Sequence, residues 1–297
     1  MQTTHDYLDP LALSQLGNLE LIARLVVEGF VTGLHRSPHQ GFNVEFSEHR
    51  QYMPGDEIRH IDWKVFGKSD RYYIKKFEEE TNLRVYLVLD ASRSMAYKFN
   101  DSSVTKLRYG CCLAAALTYL MLQQRDSVGL VTFDQKIRDY IPPRSISTHL
   151  QAVVSKLQDT VAGNETNLSQ VLADLAKRIE RRGLVIVISD LLDQPDEVLS
   201  ALKLFRYRKH EVIVFHLLDH AEKNFPFRGT ISFEDMETGA QVTTQAESLR
   251  ESYLTQLHSC IQSYERGFGN NMIDYFQIET TTPFDQSLSA YLSHRWH

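Results

Sequence analysis

Hydrophobic and polar positions change their spacing several times along the chain, and each change marks an element. From 11 to 34 apolar residues recur three or four apart (Leu13, Leu16, Leu19, Ile22, Leu25 or Val26), which predicts a helix. From 36 to 71 the period is lost. Pro38, Gly41, Pro54, Gly55 and Gly67 interrupt any long element there. Phe42, Phe46, Tyr52, Trp63 and Phe66 nevertheless give this stretch more apolar mass than a disordered linker carries, so it is expected to dock on a folded core. Beyond 72 the pattern becomes regular. Runs at 72–80, 83–90, 127–133, 184–190, 211–218 and 272–279 read as strands, with 136–141 pairing with 127–133. Runs at 104–124, 146–160, 168–182, 196–208, 246–266 and 284–295 have helical spacing, the first with Ser102 or Ser103 as its cap. Residues 231–242, with Glu237-Thr238-Gly239 in the middle, read as a β-hairpin.

Strands alternating with helices predict an α/β fold: a doubly wound, mostly parallel sheet of Rossmann-like type with helices on both faces. To it are added an N-terminal helix, the irregular docked segment and the hairpin insertion. The expected organisation is 1–80 for the helix and docked segment and 81–297 for the sheet domain.

Two apolar strands end alike. Val85-Tyr86-Leu87-Val88-Leu89 leads to Asp90, followed by Ser92 and Ser94; Leu184-Val185-Ile186-Val187-Ile188 leads to Ser189-Asp190. Neighbouring parallel strands put their carboxyl ends side by side at the switch point of a doubly wound sheet, where ligands bind. Asp90 and Asp190 are therefore expected to share one site. The polar stretch 163–167, just before a helix, brings Thr166 as a third contributor, and Asn167 or Thr166 as the cap of that helix. Asp90, Ser92, Ser94, Thr166 and Asp190 are hard oxygen ligands, suited to Mg2+ or Mn2+, with Ca2+ not separable from them on residue type. Because hydroxyls are neutral, such a cation keeps much of its charge and attracts an acidic group from outside.

Composition narrows the alternatives. The 297 residues are 42% hydrophobic and 24% charged, with a net charge of -6, which gives no reason to expect a nucleic-acid partner. Three cysteines, two of them adjacent, make no disulfide framework. With no signal-peptide pattern at Met1 and no apolar run long enough to span a bilayer, a cytoplasmic setting is expected. A nucleotide-binding loop would need Gly-x-Gly-x-x-Gly where the chain has Asp90-Ala91-Ser92-Arg93-Ser94. A Mg2+-dependent phosphatase or hydrolase using Asp90 is the alternative function. It would want a second carboxylate where Ser92 stands, and no accompanying lysine and aspartate set is evident in the sequence.

The set Asp90-x-Ser92-x-Ser94, Thr166 and Asp190 resembles the metal-ion-dependent adhesion site of von Willebrand factor type A domains. That resemblance implies a bound Mg2+ or Mn2+, a partner carboxylate completing its shell, and no enzymatic activity. A second pattern precedes it: Arg50-x-Tyr52-x-Pro54-Gly55-Asp56-x-x-Arg59-x-Ile61-Asp62-Trp63. Together with Lys106, Asp126-Ser127-Val128-Gly129 and Asp219-x-x-Glu222, it resembles the bacterial family called domain of unknown function 58. Some relatives carry amino-terminal membrane helices, and no such role is carried over here. The strip from Arg50 to Trp63 reads either as a brace whose charges satisfy one another or as a contact surface. The resemblance implies a partner of the MoxR-type AAA+ ATPase class, or its client.

Overall fold

The computed structural model describes residues 9–35, 49–51, 73–75, 83–101, 103–236 and 239–295. The chain forms two compact units, Thr32–Asn82 and the combination of Met1–Val31 with Leu83–His297. The start of the chain thus belongs with the sheet domain, whereas the sequence pattern grouped it with the segment that follows. The single helix expected over 11–34 is two, α1 (Pro10–Ser14) and α2 (Leu19–His35). The break has a local cause. Asn18 Oδ1 accepts from Glu20 N at 2.9 Å and Leu21 N at 3.2 Å, so it caps a fresh helix start. In the smaller unit, β1 (His49–Gln51) pairs antiparallel with β2 (Tyr73–Lys75), with Arg50 opposite Ile74. Tyr52, Pro54, Gly55, Asp56, Arg59, Asp62 and Trp63 lie outside the described residues, as does the docking expected of their segment.

In the larger unit, β3 (Arg84–Asp90) passes through a 3-10 turn (Arg93–Ala96) into α3 (Lys106–Gln123). There follow β4 (Ser127–Phe133), β5 (Ile137–Arg144), α4 (His149–Gln158), α5 (Leu168–Arg178), β6 (Leu184–Ser189) and α6 (Pro195–Tyr207). The chain continues through β7 (Glu211–Leu218), α7 (His220–Asn224), the hairpin β8 (Thr230–Glu234) and β9 (Gln241–Gln245), α8 (Ala246–Gly269), β10 (Asp274–Glu279) and α9 (Phe284–Arg295). The main sheet runs β10-β7-β6-β3-β4-β5. Its pairings are parallel except that of β4 with β5. Chain order reverses at β3, which has β4 on one side and β6 on the other. That reversal is a switch point, and it puts the ends of β3 and β6 next to each other. The prolines Pro142 and Pro143 fit β5 because it is an edge strand.

Alternation along the strands builds two cores. Tyr86, Val88, Val185, Val187, Val212 and Val214 pack with Leu172, Leu175, Leu202, Phe205, Tyr264 and Phe268 of α5, α6 and α8. On the opposite face α3 lies unusually close. A Cβ on Gly110 would stand 2.9 Å from Leu89 Cδ1 and 3.3 Å from Ile188 Cγ2, so a larger residue there would have to push these methyl groups aside. The helix is buried along most of its length, including Cys111 and Cys112. Its cap is Thr105, whose Oγ1 accepts from Arg108 N at 3.1 Å, and not Ser103; Ser102 lies outside the described residues. Ser103 Oγ instead donates to Asn100 Oδ1 at 3.0 Å. Helix α5 stops at Arg178 because Ile179 turns extended and buries itself in the core. The hairpin is anchored by rings: Phe225 stands 5.0 Å from both Phe227 and Tyr253 and 5.8 Å from Phe233. Among the described residues no helix is long and apolar enough to cross a membrane.

Candidate metal centre

Asp90 is the last residue of β3, and Asp190 follows the last residue of β6. The two strands pair in parallel, Leu89 opposite Ile188, so the sheet carries both carboxylates to one edge. Each is 1% exposed. Asp90 is held at both oxygens. Ser92 N donates to Oδ1 at 2.8 Å, and Ser189 Oγ donates to Oδ2 at 2.6 Å. Ser189 Oγ in turn accepts from Leu191 N at 3.0 Å, which fixes the β6 turn. Ser92 is fully buried, Ser94 nearly so, and their hydroxyl oxygens stand 3.1 Å apart. The 3-10 turn places both hydroxyls on the same side of the strand end.

The segment carrying Thr166 is fastened to this loop by its backbone. Gly163 N donates to Ala91 O at 2.7 Å, and Arg93 N donates to Asn164 O at 2.9 Å. Thr166 Oγ1 is buried, while Asn167 caps α5 by accepting from Gln170 N at 3.3 Å. A larger residue at Gly163 would have to displace the Asp134 carboxylate, which a Cβ there would meet. Asp90, Ser92, Ser94 and Asp190 therefore come to one rim of the sheet, and the segment that carries Thr166 is tied to the same loop.

The structure adds a residue whose part was not foreseen. Lys106, in the first turn of α3, is 0% exposed. Its Nζ donates to Asp190 Oδ2 at 2.9 Å and to Glu222 Oε1 at 2.7 Å. Glu222 Oε2 accepts from Asp219 N at 2.7 Å and closes the capping box of α7. A lysine beside an aspartate thus does stand at the site, although no such set is evident in the sequence. It is bound to Asp190 and Glu222. A signal for it existed: a cation in the first turn opposes the helix dipole, and one in so apolar a helix needs a carboxylate partner.

The electrostatics follow from burial and this pairing. Burial and the neighbouring Asp190 charge push the Asp90 carboxyl up to about 7. Burial works the same way on Asp190, but Lys106 outweighs it and holds that carboxyl below its ordinary value. Burial opposes the Lys106 charge, yet Asp190 and Glu222 raise its pKa above the ordinary lysine value. Burial pushes Glu222 up. His216, packed behind Asp190, is pushed down to about 4 by burial.

Among the described residues no group of three or more His, Cys, Asp or Glu is placed to hold a metal. Any cation here would rest on two carboxylates and the hydroxyls. Three features fit a hard divalent cation. The donors of Asp90, Ser92, Ser94, Thr166 and Asp190 are all oxygens. Asp190 Oδ1 is buried with no hydrogen-bond partner of good geometry, although the Ser94 hydroxyl eases the Asp190 charge. Asp90 is a buried carboxylate whose ionisation lacks a counter-charge. Beside the rim opens a cleft of about 340 Å³ lined by Ser94, Tyr97, Lys106, Leu192, Glu222, Asp235 and Met236.

An open sheet whose central strand ends in Asp-x-Ser-x-Ser at the switch point defines a von Willebrand factor A-like protein, and the chain has that fold. Its family is narrower: the family described as "Protein of unknown function DUF58" matches residues 48–260, and the chain belongs to it. Uncharacterized protein Rv1480 of Mycobacterium tuberculosis and uncharacterized protein Mb1516 of Mycobacterium bovis are each 27% identical over 234 residues, which is 78% of this chain and 73% of theirs. Among solved structures, the conserved hypothetical protein BatB from Bacteroides thetaiotaomicron superposes with a TM-score of 0.50 at 16% identity, covering 71% of this chain and 98% of that one. The SpRpn10 VWA domain gives a TM-score of 0.39 at 9% identity over 69% of this chain and 93% of its own.

Proposed function

We propose that the protein is a non-enzymatic interaction module in which a divalent cation, Mg2+ or Mn2+, recruits an acidic side chain of a protein partner. The observation that carries this reading is the convergence of Asp90, Ser92, Ser94 and Asp190 at adjacent strand ends, with one buried Asp190 oxygen that has no hydrogen-bond partner of good geometry. Asp90, Asp190, Ser92, Ser94 and Thr166 would hold the ion. When bound, the cation would supply a Lewis-acidic position for an outside carboxylate. The protein's own contribution is to hold its oxygens rigidly. Asp90 is fixed by Ser92 N and Ser189 Oγ, and the Thr166 segment is latched to Ala91 and Arg93. Rigid donors keep the ordering cost of binding low.

The partner is proposed to be a MoxR-type AAA+ ATPase or a client of it, acting in assembly, maturation or stress response. This rests on the family resemblance. The alternative reading, a phosphatase or hydrolase, gains Lys106 as a nearby cation but meets Ser92 where a general acid would stand, and Lys106 is committed to two carboxylates. Co-purification of the ATPase with the wild-type chain, lost with chelator and with Asp90→Ala, is expected. Binding unchanged by both would refute the module, and phosphoester turnover abolished by Asp90→Asn would favour the enzyme.

A further inference from the structure

The ligand set named above leaves out a buried cation bonded to one of its members. Lys106 is anchored on every side. Two of its N–H groups reach Asp190 and Glu222, and the Tyr97 ring centroid lies 5.7 Å from Nζ, within cation–π range. Glu222 is itself fixed by Asp219 N, and Asp219 accepts from Ala221 N at 2.8 Å and Phe99 N at 3.4 Å. Core packing alone would be served by an apolar side chain at this position, without the cost of burying an ammonium. The ammonium takes Asp190 Oδ2 and leaves Oδ1. Both Asp90 oxygens already accept one hydrogen bond each. A divalent ion would therefore meet two carboxylates already partly satisfied, and a fixed positive charge bonded to one of them.

We infer that Lys106 is a built-in counter-charge that keeps the intrinsic affinity of the Asp90–Asp190 site for a divalent cation low, so that tight binding waits for a carboxylate from outside. The inference rests on the metal reading of that site. Its consequence is cooperativity: if an acidic group strengthens the ion, the ion strengthens the acidic group by the same factor. Metal and partner then assemble together, and the protein alone does not sequester the ion.

The test titrates Mn2+ alone into the full-length chain at pH 8, following free Mn2+ by electron paramagnetic resonance. Far-UV circular dichroism is run beside it. Lys106→Met is expected to bind Mn2+ roughly tenfold or more tighter than wild type, because the repelling charge is gone. Lys106→Arg keeps the charge and is expected to match wild type. Glu222→Gln unburdens the ammonium of its second carboxylate and is expected to bind several-fold more weakly. Replacing chloride by acetate at equal ionic strength should tighten wild type more than Lys106→Met. Where Lys106→Met fails to fold, Lys106→Met with Glu222→Gln leaves one fewer unpaired carboxylate and is expected to bind tighter than Glu222→Gln alone. Lys106→Met binding no tighter than wild type, while wild-type binding is lost in Asp90→Ala, would overturn the inference and leave the metal reading standing. Absence of Asp90-dependent Mn2+ binding in wild type and in the Lys106 variants alike would overturn both.

Discussion

Replacing Asp90 by asparagine is expected to stabilise the ion-free protein. Without a cation, burial and the Asp190 charge raise the Asp90 carboxyl from 3.8 to about 7. Folding thus raises this pKa, so its contribution to stability is fully present below about pH 4 and is lost as pH climbs through about 7. At 1.36 kcal/mol per pH unit, ionising Asp90 at pH 8 costs the folded state about 4 kcal/mol. Asparagine carries no charge and still offers an oxygen to Ser92 N. Its nitrogen cannot accept the Ser189 hydroxyl, which returns about 1–2 kcal/mol of the gain. A net stabilisation of about 2 kcal/mol remains, or a rise in melting temperature of about 5 °C for a domain of this size. Urea denaturation in chelator at pH 8 and at pH 4 measures it. The gain should appear at pH 8 and vanish at pH 4, and saturating Mn2+ should stabilise wild type but not the variant. An Asp90→Asn protein less stable than wild type at pH 8 in chelator would refute the reasoning.

Other outcomes follow from the same structure. His216 is pushed down to about 4, so it contributes stability above about pH 6.5 that is lost as pH falls toward 4; His216→Gln should remove about 3 kcal/mol of that acid dependence in urea titrations. Gly163→Ala should weaken Mn2+ binding with a smaller loss in melting temperature, because the new methyl must displace the Asp134 carboxylate and with it the latch to Ala91 and Arg93. Phe225→Ala should cost about 3–5 kcal/mol and make the β8–β9 hairpin sensitive to limited proteolysis, since Phe225 is 2% exposed among Phe227, Phe233 and Tyr253.

The parts of the fold legible in the sequence are those with a strong period. The strands at 127–133 and 211–218 and the helix at 284–295 match β4, β7 and α9 residue for residue. The site was legible for a related reason: an apolar strand that ends abruptly in a carboxylate shows where its polar end lies, and two such strands imply a shared edge. Capping was harder to read, because Ser102, Ser103 and Thr105 are all competent and the choice depends on where the preceding loop turns. The α1–α2 break was missed because apolar spacing continues through it while Asn18 restarts the hydrogen bonding. Lys106 escaped because its meaning is tertiary. Nothing in the sequence around position 106 says that residue 190, at the end of β6, and residue 222, in α7, close on it.

The most direct test is Mn2+ binding itself, measured by electron paramagnetic resonance on the full-length chain at saturating metal. One bound Mn2+ per chain is expected, lost in Asp90→Ala and in the double change Ser92→Ala with Ser94→Ala, with each protein still folded. No bound Mn2+ in wild type and in Lys106→Met alike, or binding indifferent to these substitutions, would contradict a cation held between the ends of β3 and β6.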